Sequence, residues 1–488
     1  MKKLLAVLLT LSILFSLAAC SVGTDSPPEE TSSAPVSSAP GAEEETEAET
    51  APPVPEEDFG GVDFNVLAAC EQWQDFYVSE QTGDVVNDAV YERNLWLEEY
   101  NNIKLTYRIF NGYTAGMADV STALSGSVMG GSGDYDMVLG SVSYVSPLIS
   151  AGLLTDMNGF DRIDFSRPWW YQYADEQLEI VGRQYLASGA AGLNTVAWSI
   201  VTFFNKNLAA DYGIEDLYEA VRTGNWTFDR LNALGSSVVT DLDGNGTIDK
   251  NDRAGLVSTD DYMALETSAM GYFYSEKTAD GEVVLKELNE RLLAVNDILL
   301  GLEESDAYLS GTEFGGADSH ENYRNIQSFF AAGGALFMIH RLDFAAWETM
   351  REMENFGILP SPKFDAAQES YITPTVNDAV GIPAYVKNPD MSAAVTEAMQ
   401  YRSAVTVKPA YFETAIKRKS SRDEESVEML EIIGSTCASD FMYIFSRDVG
   451  DIINTIANKN YASMWEKSLK VYTKKMAKLI ETVKGLET

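Results

Sequence analysis

The sequence is short of histidine, of basic residues and of catalytic motifs, and each shortage excludes a class of function. It contains two histidines in 488 residues, and no G-x-S-x-G, H-E-x-x-H, P-loop or paired-cysteine metal motif occurs in it. Lysine and arginine total 35 against 74 aspartates and glutamates, which gives a formal net charge of -39. Because a surface this acidic repels phosphate backbones, we do not expect nucleic acid to be a partner.

Long apolar runs are also missing beyond the N-terminus, so we expect no transmembrane helix. The first residues instead have the pattern of a secretory signal peptide: Lys2 and Lys3, the apolar run LLAVLLTLSILFS, and small residues before Cys20. The sequence LAAC matches the bacterial lipobox, in which the signal (residues 1–19) is cut before a cysteine that then carries lipid. The alternative is an ordinary signal peptide with a chance cysteine. The lipobox predicts a protein anchored by Cys20 to the extracellular face of the cell membrane.

Large apolar residues are nearly absent from residues 20–58, which are rich in serine, proline, glutamate and threonine. Such a segment buries too little surface to offset the entropy of ordering, so we expect a disordered tether whose ends lie on the order of 30 Å apart. Cysteine is scarce as well, because only Cys70 and Cys437 follow Cys20. Two cysteines define no disulfide framework, so a disulfide and two buried free thiols both remain open.

The rest of the chain alternates between strand and helix patterns, in a composition that is 45% hydrophobic. Apolar residues at period two or at helical spacing predict, in turn, strand, helix, strand, helix and strand at 62–68, 86–101, 103–109, 117–128 and 135–140. This order is the beginning of a doubly wound parallel sheet. Later patterns predict an amphipathic helix at 286–304, buried strands in GALFMI and AVGIPAYV, and a long last helix at 465–483.

The segment DLDGNGTIDKND has the spacing of a calcium loop around Gly246. Its oxygen ligands, with Thr247 contributing its carbonyl, are Asp241, Asp243, Asn245, Thr247, Asp249 and Asp252. The last place holds Asp where sensor loops use the longer Glu, and RAGL follows too soon for a full exit helix. The loop resembles the extracellular calcium loops of dockerin-type modules. We therefore expect Ca2+ as a structural ion that stiffens a surface connection, and the alternative is a solvated acidic turn.

Several segments resemble, in their order along the chain, the bacterial extracellular solute-binding lipoproteins of ABC importers, of the oligosaccharide-binding type. The segments are GSGDYDMVLGSVSYVSPLISAGLLTDM, VTFFNKNLAADYGIEDL, GNWTFDRL, FFAAGGALFMIHRLDFAAWETM, and FGILPSPKFDAAQESYITP followed by DAVGIPAYVKNPDMSAAVTEAM. The resemblance spans roughly residues 59–480, which is nearly the whole chain after the tether.

The resemblance implies an α/β, two-lobed, periplasmic-binding-protein-like fold of type II, with a hinge between the lobes and the ligand cleft at their interface. The implied first lobe is 59–190 plus 375–415, the implied second lobe, with the calcium loop, is 191–374 plus 416–488, and the crossings lie near 188–200 and 372–380. The implied function is that of a monomeric substrate-binding component, not an enzyme. It captures an extracellular carbohydrate, expected to be an oligosaccharide, and delivers it to the permease subunits.

Two rules select the residues that are expected to contact the ligand. In a parallel sheet the crevice lies beyond the carboxyl ends of the strands. Sugars also require aromatic plates and side chains that donate and accept hydrogen bonds. The strand-end rule selects Glu71, Trp73, Ser141, Ser143 and Tyr144, and position in the family pattern selects Trp198, Arg341, Asp343, Asn377 and Asp378.

Structural alternatives exist for these residues. Trp73 has the alternative of a surface loop anchor and Trp198 that of core packing, while Arg341 and Asp343 have the alternative of pairing only with each other. Other tryptophans, which are interpreted as structural residues, are Trp169, Trp170 and Trp226.

Two other classes of function remain at this stage. A secreted polysaccharide hydrolase needs only two suitably spaced carboxylates, which 74 acidic residues can supply. A cohesin-binding module needs two copies of the calcium loop, and the sequence has one. The binding protein is the interpretation that accounts for the ordered segments along the whole chain.

Overall fold

The computed structural model describes residues 52–70, 76–111, 113–278, 282–317, 319–353, 355–417 and 424–486. The chain divides into two units, Met1–Pro52 and Pro53–Thr488, and the fold lies in the second unit. The predicted signal peptide, Cys20 and most of the predicted tether lie outside the described residues, as do Glu71 and Trp73. Their roles stay predictions.

Strands and helices alternate along the described chain. The strands are β1 (Val62–Cys70), β2 (Ile103–Asn111), β3 (Met137–Ser141), β4 (Ile200–Asn205), β5 (Ala254–Ser258), β6 (Ser275–Lys277), β7 (Val283–Leu285), β8 (Tyr308–Ser310), β9 (Ala335–Arg341), β10 (Phe356–Pro360), β11 (Thr373–Pro374), β12 (Asp378–Gly381) and β13 (Cys437–Ala438). The α-helices are α1 (Val85–Asn101), α2 (Tyr113–Gly130), α3 (Val142–Val145), α4 (Pro147–Ser150), α5 (Gln172–Leu178), α6 (Asn194–Ala197), α7 (Lys206–Asp211), α8 (Leu217–Arg222), α9 (Phe228–Val238), α10 (Asp260–Ala269), α11 (Glu290–Glu303), α12 (Ser319–Ala331), α13 (Glu348–Glu352), α14 (Pro389–Val405), α15 (Val407–Lys417), α16 (Glu424–Ser435), α17 (Phe441–Ile444), α18 (Ser446–Val449) and α19 (Tyr461–Lys484). This alternation confirms the α/β class.

The first sheet has the strand order β12-β3-β1-β2 and is built largely from the early predicted strands. β1 runs parallel to β2 and β3, and β12 returns antiparallel beside β3. The Asp84 side chain begins α1 by accepting hydrogen bonds from the backbone N–H groups of Val86 and Asn87. The predicted doubly wound beginning is therefore confirmed.

The second sheet has the strand order β10-β4-β9-β5-β8. β4 is antiparallel to β9 and β10, whereas β5 is parallel to β8 and β9. Every residue of the central strand β9 is buried except its last, Arg341. α9 packs so closely on β5 that a Cβ on Gly255 would lie 2.5 Å from the carbonyl of Gly235. Only glycine therefore fits at this contact, which holds together the two elements that the acidic loop connects.

The two segments in which crossings are predicted run beside each other. Antiparallel bridges join Ala187 to Val380 and Ser199 to Thr375, and β11 pairs with β13 in parallel. The Thr375 hydroxyl also donates a hydrogen bond of 2.6 Å to the carbonyl of Thr195. Backbone pairing therefore holds the connections between the sheets together, while the predicted lobe boundaries stay a prediction.

Three tryptophans that the sequence indicates as structural are buried and hydrogen-bonded. The indole N–H groups of Trp169 and Trp170 donate to the two carboxylate oxygens of Glu397, each at 2.9 Å. Trp226 donates to the carbonyl of Pro360 at 2.9 Å. Because the three rings are at most 5% exposed, none of them offers a face to a sugar.

The predicted last helix is α19, which is 24 residues long. It buries Trp465 and Met476, while its lysines and Val471, which is 54% exposed, face outward. Within the described residues no helix, α19 included, has both the length and the apolar character that a membrane span requires.

The cysteines are partly described. Cys437 is a buried free thiol whose sulfur lies 3.2 Å from the Ser199 hydroxyl oxygen. Burial raises the pKa of this thiol, so it stays protonated. The side chain of Cys70 lies outside the described part of the chain.

Candidate ligand-binding site

Eight of the ten residues predicted to contact the ligand lie in the described chain. They form two groups, each next to the carboxyl end of a strand. The group at the end of β3 is Ser141, Ser143, Tyr144, Asn377 and Asp378, and the group at the end of β9 is Trp198, Arg341 and Asp343.

The residues at the end of β3 are mostly buried. Ser141 is paired with Asp378 across β3 and β12, and the Val142 N–H donates to the carbonyl of Asn377 at 2.9 Å. Ser141, Asn377 and Asp378 are each at most 2% exposed. This burial gives them a structural place between the sheets, and their contact with a ligand stays a prediction.

Asn377 and Asp378 belong to a buried polar network. The Asn377 amide donates to the Ser188 hydroxyl and accepts from the Ser439 hydroxyl at 2.7 Å. The Asp378 N–H donates to the Thr195 hydroxyl at 3.1 Å. Burial raises the pKa of the Asp378 carboxyl to about 7, against an opposing contribution from Asn194. The network joins the return crossing to the segment that leads to Trp198.

Tyr144 is the more exposed member of this group. It lies in α3, directly after β3, and its side chain is half-buried. The Arg447 guanidinium lies over its ring, with the central carbon 3.7 Å from the ring centroid. Its neighbour Ser143, which the strand-end rule also selects, is 6% exposed. Tyr144 is therefore only partly buried, and Arg447 covers one face of its ring.

The group at the end of β9 is assembled by backbone pairing. Ile200 of β4 is opposite Arg341 of β9, and the Leu342 N–H donates to the carbonyl of Ser199 at 2.8 Å. This pairing brings Trp198 against Arg341, whose guanidinium carbon lies 4.7 Å from the indole centroid. The cation lies within the range in which an aromatic face attracts it.

Arg341 and Asp343 pair with each other, as the structural alternative expects. The guanidinium donates from Nε and Nη2 to the two carboxylate oxygens at 2.9 and 2.7 Å. Burial alone lowers the pKa of Arg341, but the charge of Asp343 more than offsets it and keeps that pKa raised. Because a guanidinium has five N–H donors and this pair uses two, the pairing leaves donors for a ligand.

Aromatic side chains that the sequence analysis did not select surround this ion pair. Together with Trp198 they form what we call the aromatic enclosure: Trp198, Tyr262, Tyr323, His340, Phe344 and Trp347. The Arg341 guanidinium carbon lies 5.9 Å from the Tyr323 ring and 5.7 Å from the Phe344 ring. Phe344 and Trp347 follow Arg341 in the same loop, so their proximity is a signal that sequence analysis can use.

His340 is enclosed by these rings. It stacks on Phe344 at 3.5 Å and meets Tyr262 and Tyr323 edge-on at 4.5 and 4.8 Å. Its Nδ1 accepts the Arg341 N–H at 2.9 Å, so the ring proton lies on Nε2. Burial, together with the charge of Arg341, lowers the pKa of His340 well below its usual value. The His340 ring is therefore neutral, and it packs against the other rings of the aromatic enclosure.

The two groups are connected by one short helix. Thr195, which accepts the Asp378 N–H, lies in α6, and the Trp198 N–H ends that helix by donating to the carbonyl of Asn194 at 2.8 Å. The buried polar network at the end of β3 therefore lies a few residues from the aromatic enclosure at the end of β9. α6 therefore links the two groups along the chain, and their joint contact with one ligand stays a prediction.

The acidic loop connects α9 to β5 on the second sheet. Paired backbone hydrogen bonds of 3.0 Å between Thr240 and Arg253 close it at its base. A strand follows the loop where sensor proteins have a second helix, which confirms that no full exit helix follows.

Three carboxylates converge in this loop. Oxygens of Asp241, Asp243 and Asp252 all lie within 4.8 Å of one another. The Asp252 carboxylate accepts N–H groups from Asp249 at 3.0 Å and Leu242 at 2.8 Å, and these bonds hold its pKa below the usual value. Because three negative charges this close repel one another, the arrangement suits a cation with oxygen ligands.

Three solved structures with the same fold are a cyclic-oligosaccharide-binding protein, a maltose-binding protein and a receptor in complex with acarbose. The cyclic alpha-maltosyl-1,6-maltose binding protein of Arthrobacter globiformis is 13% identical, with a TM-score of 0.55 over 86% of this chain and 100% of that one. The maltose-binding protein MalE of Listeria monocytogenes, in complex with maltose, is 14% identical, with a TM-score of 0.51 over 88% and 99%. The GacH receptor of Streptomyces glaucescens, solved unliganded and with acarbose, is 15% identical, with a TM-score of 0.50 over 87% and 100%. At these identities the likeness shows the fold, which is of the type II periplasmic-binding-protein class.

The family follows from the sequence profile. Residues 79–401 match the family described as "Bacterial extracellular solute-binding protein", and this match covers more than half of the chain. The chain belongs to this family. It is therefore an extracellular or periplasmic solute-binding protein and not an enzyme, and the hydrolase alternative has no support. A comparison with curated protein sequences finds no match.

Proposed function

We propose that this protein captures an extracellular carbohydrate, an oligosaccharide, between its two sheets and delivers it to the permease subunits of an ABC importer. The observation that carries the proposal is the aromatic enclosure around the Arg341–Asp343 pair. Three structural neighbours, which bind maltose, a cyclic maltosyl-maltose and acarbose, support the choice of solute class.

The chemistry of the enclosure suits a sugar. A pyranose presents apolar C–H faces, for which indole and phenol rings offer large area at little cost in rotamer entropy. Its hydroxyls both donate and accept hydrogen bonds, and the paired Arg341 and Asp343 offer donors and acceptors in fixed positions. A solute without matching hydroxyls would leave these buried polar groups unpaired, which disfavours its binding.

Calorimetry with a sugar panel tests this proposal. We expect at least one oligosaccharide to bind with one-to-one stoichiometry and a dissociation constant in the micromolar range or below. Amino acids and peptides serve as the control solutes and should give no heat of binding. Mass spectrometry of the recovered sugar should return the intact ligand. Failure of every sugar, or recovery of shortened sugars, would overturn the proposal.

Calcium belongs to this proposal as a structural ion. The ligands would be the side chains of Asp241, Asp243, Asn245, Asp249 and Asp252 and the carbonyl of Thr247. The converging carboxylates support this assignment, because a divalent cation relieves their mutual repulsion. The ion would stiffen the connection between α9 and β5, and it plays no part in binding the solute.

Chelation provides the test of the calcium site. We expect a chelator to lower the melting temperature by about 5 °C and added Ca2+ to restore it, because an ion that binds only the folded state stabilises it. Asp243→Asn should abolish the response to the chelator. The control Asp306→Asn removes the same charge from an exposed loop and should respond like the natural chain. A melting temperature that does not change with the chelator would contradict the proposal. Loss of solute binding when calcium is removed would contradict it as well.

The lipid anchor completes the proposed function. Cleavage before Cys20 and lipidation of its thiol would hold the protein on the extracellular face of the cell membrane. The segment before Pro53 would act as a flexible tether, and the protein would work as a monomer. The predicted tether bound at residue 58 is too late, because Val54 is buried and its carbonyl accepts the Tyr100 hydroxyl at 2.7 Å. The lipobox sequence LAAC and the composition of the tether support this part.

A further inference from the structure

One face of α19 is basic in a chain whose net charge is -39. Four exposed lysines follow one another at steps of three, four and four residues, which puts them on one face of the helix. They are called the lysine stripe below and are Lys467, Lys470, Lys474 and Lys478. The stripe extends over about 17 Å at 1.5 Å per residue. Exposed Val471 lies among them, and buried Met476 faces the opposite way.

Among the described residues, no lysine of the stripe makes an ion pair with an acidic side chain. Such ion pairs are made by Lys277, Lys459 and Lys484 instead. Glu466 and Glu481 of the same helix flank the stripe at its two ends. Because like charges repel, four unpaired lysines on one face favour a partner with several negative charges.

We propose that the lysine stripe is a docking surface for an anionic lipid membrane, with headgroup phosphates as its ligands. Charge complementarity is the first argument, since lysine is a phosphate ligand and the rest of this acidic chain is repelled by the same membrane. The inference rests on the proposed anchor, which keeps the protein near a lipid surface. Docking through α19 would orient the protein on that surface.

The place where the described chain begins is the second argument. Leu486, just beyond α19, lines a cavity together with Phe160. Pro53, near the first described residue, lines another cavity together with Arg162. Phe160 and Arg162 are two residues apart, so the end of α19 and the start of the fold lie against the same short segment. A tether that continues from Pro53 towards a membrane therefore starts on the side of the molecule where α19 ends.

The expected attraction between the lysine stripe and the membrane is strong enough to orient a tethered protein but too weak to hold a free one. Each lysine near an anionic leaflet contributes a small attraction, and four together correspond to a dissociation constant of about 1 mM for a free protein before salt screening. A short flexible tether supplies an effective concentration in the millimolar range. The same weak attraction is therefore enough to orient a tethered protein.

Cosedimentation with vesicles tests the stripe. The mature chain from residue 20, with Cys20→Ser, is mixed with phosphatidylcholine vesicles that contain or lack phosphatidylglycerol, at low and physiological salt. The test variant changes the four lysines of the stripe to glutamate, and a second changes them to glutamine. The control variant makes the same change in net charge at four other exposed lysines, which are Lys104, Lys277, Lys387 and Lys459.

We expect binding only to the anionic vesicles, and weaker binding at higher salt. Both stripe variants should lose at least tenfold in vesicle partitioning, while the control variant should lose less than threefold. Absence of binding to anionic vesicles at low salt, or equal losses in stripe and control variants, would overturn the inference. The chain in this test carries no lipid, so its vesicle binding depends on the protein surface alone. Calorimetry on the same variants measures sugar binding separately. A lysine stripe that does not bind membranes is therefore distinguishable from a protein that does not bind sugar.

Discussion

Arg341→Ala is expected to bind the sugar at least 100-fold more weakly than the natural chain. The guanidinium lies against Trp198 and is paired through two hydrogen bonds with Asp343, so its removal deletes ligand donors and leaves a carboxylate unpaired among aromatic rings. Truncating one member of a buried, hydrogen-bonded charge pair costs about 2 to 5 kcal/mol, and a 100-fold loss corresponds to about 2.7 kcal/mol. Calorimetry with the best sugar of the panel measures the change.

The same substitution also affects folding, so stability must be measured beside affinity. Leaving Asp343 unpaired destabilises the fold. The double variant Arg341→Ala with Asp343→Asn removes that unpaired charge and should regain stability but not affinity. As a matched control, Arg222→Ala breaks the exposed ion pairs with Glu425 and Glu428. This control should leave the affinity and the stability nearly unchanged. An affinity that recovers together with the melting temperature would mean that Arg341 acts only as a structural residue.

The sheets were predictable where the sequence has a clear period. The alternation in β1 agrees with burial at Phe64 and Val66, whereas Val62 is exposed and Leu67 on the opposite face is buried. In β2 the apolar residues after Ile103 are only half-buried. The run AVGIPAYV predicts a strand that is longer than the one observed, because β12 ends at Gly381. Pro383 has no N–H to donate to a ladder, and the chain makes only a single bridge there, to Leu154.

The site was predictable only where one strand end determines it. Arg341 ends β9 and Asp343 follows two residues later, at the position that the family pattern indicates, so their proximity to each other was predictable from the sequence. Tyr262 and Tyr323 come from α10 and α12, far apart in the chain, and no local pattern indicates that they meet around His340. Their convergence is a product of tertiary packing, which a single sequence does not encode at short range.

Polar residues beside a strand end were harder to assign. The strand-end rule selected Ser141 and the family pattern selected Asn377, but neither states which way a side chain points. Asn377 points into the contact between the crossing segments, where it accepts a hydrogen bond from Ser439. A buried hydrogen-bond network and a ligand site both require such residues, so the residue type alone does not separate the two roles.

Glu266→Gln is expected to remove a large pH-dependent loss of stability. Glu266 lies in α10 and is fully buried, and its Oε1 is 2.8 Å from the Ser361 hydroxyl oxygen. That hydroxyl is also 3.0 Å from the carbonyl of Ile200. One hydroxyl proton cannot serve both acceptors, so the carboxyl must supply the second proton. Burial raises the pKa of Glu266 to about 8, which agrees with a protonated group at neutral pH.

The sign of the effect follows from proton linkage. The folded state keeps a proton that the unfolded chain loses above its usual pKa of 4.5. The stability contribution of this group is therefore fully present below about pH 4.5, falls as the pH rises, and is lost above about pH 8. A pKa raised from 4.5 to about 8 corresponds to a change of roughly 4 to 5 kcal/mol in the free energy of unfolding.

Urea unfolding of the natural chain and of Glu266→Gln at pH 5, 7 and 9 measures this effect. An amide cannot ionise but can still donate to Ser361, so the variant should gain several kcal/mol relative to the natural chain between pH 5 and pH 9. The control Glu219→Gln changes an exposed side chain and should follow the natural chain at each pH. If the free energies of unfolding of Glu266→Gln and of the natural chain change with pH in parallel, the Glu266 carboxyl is ionised in the folded state. Ser361 would then have to donate its proton to Glu266, leaving the Ile200 carbonyl without it.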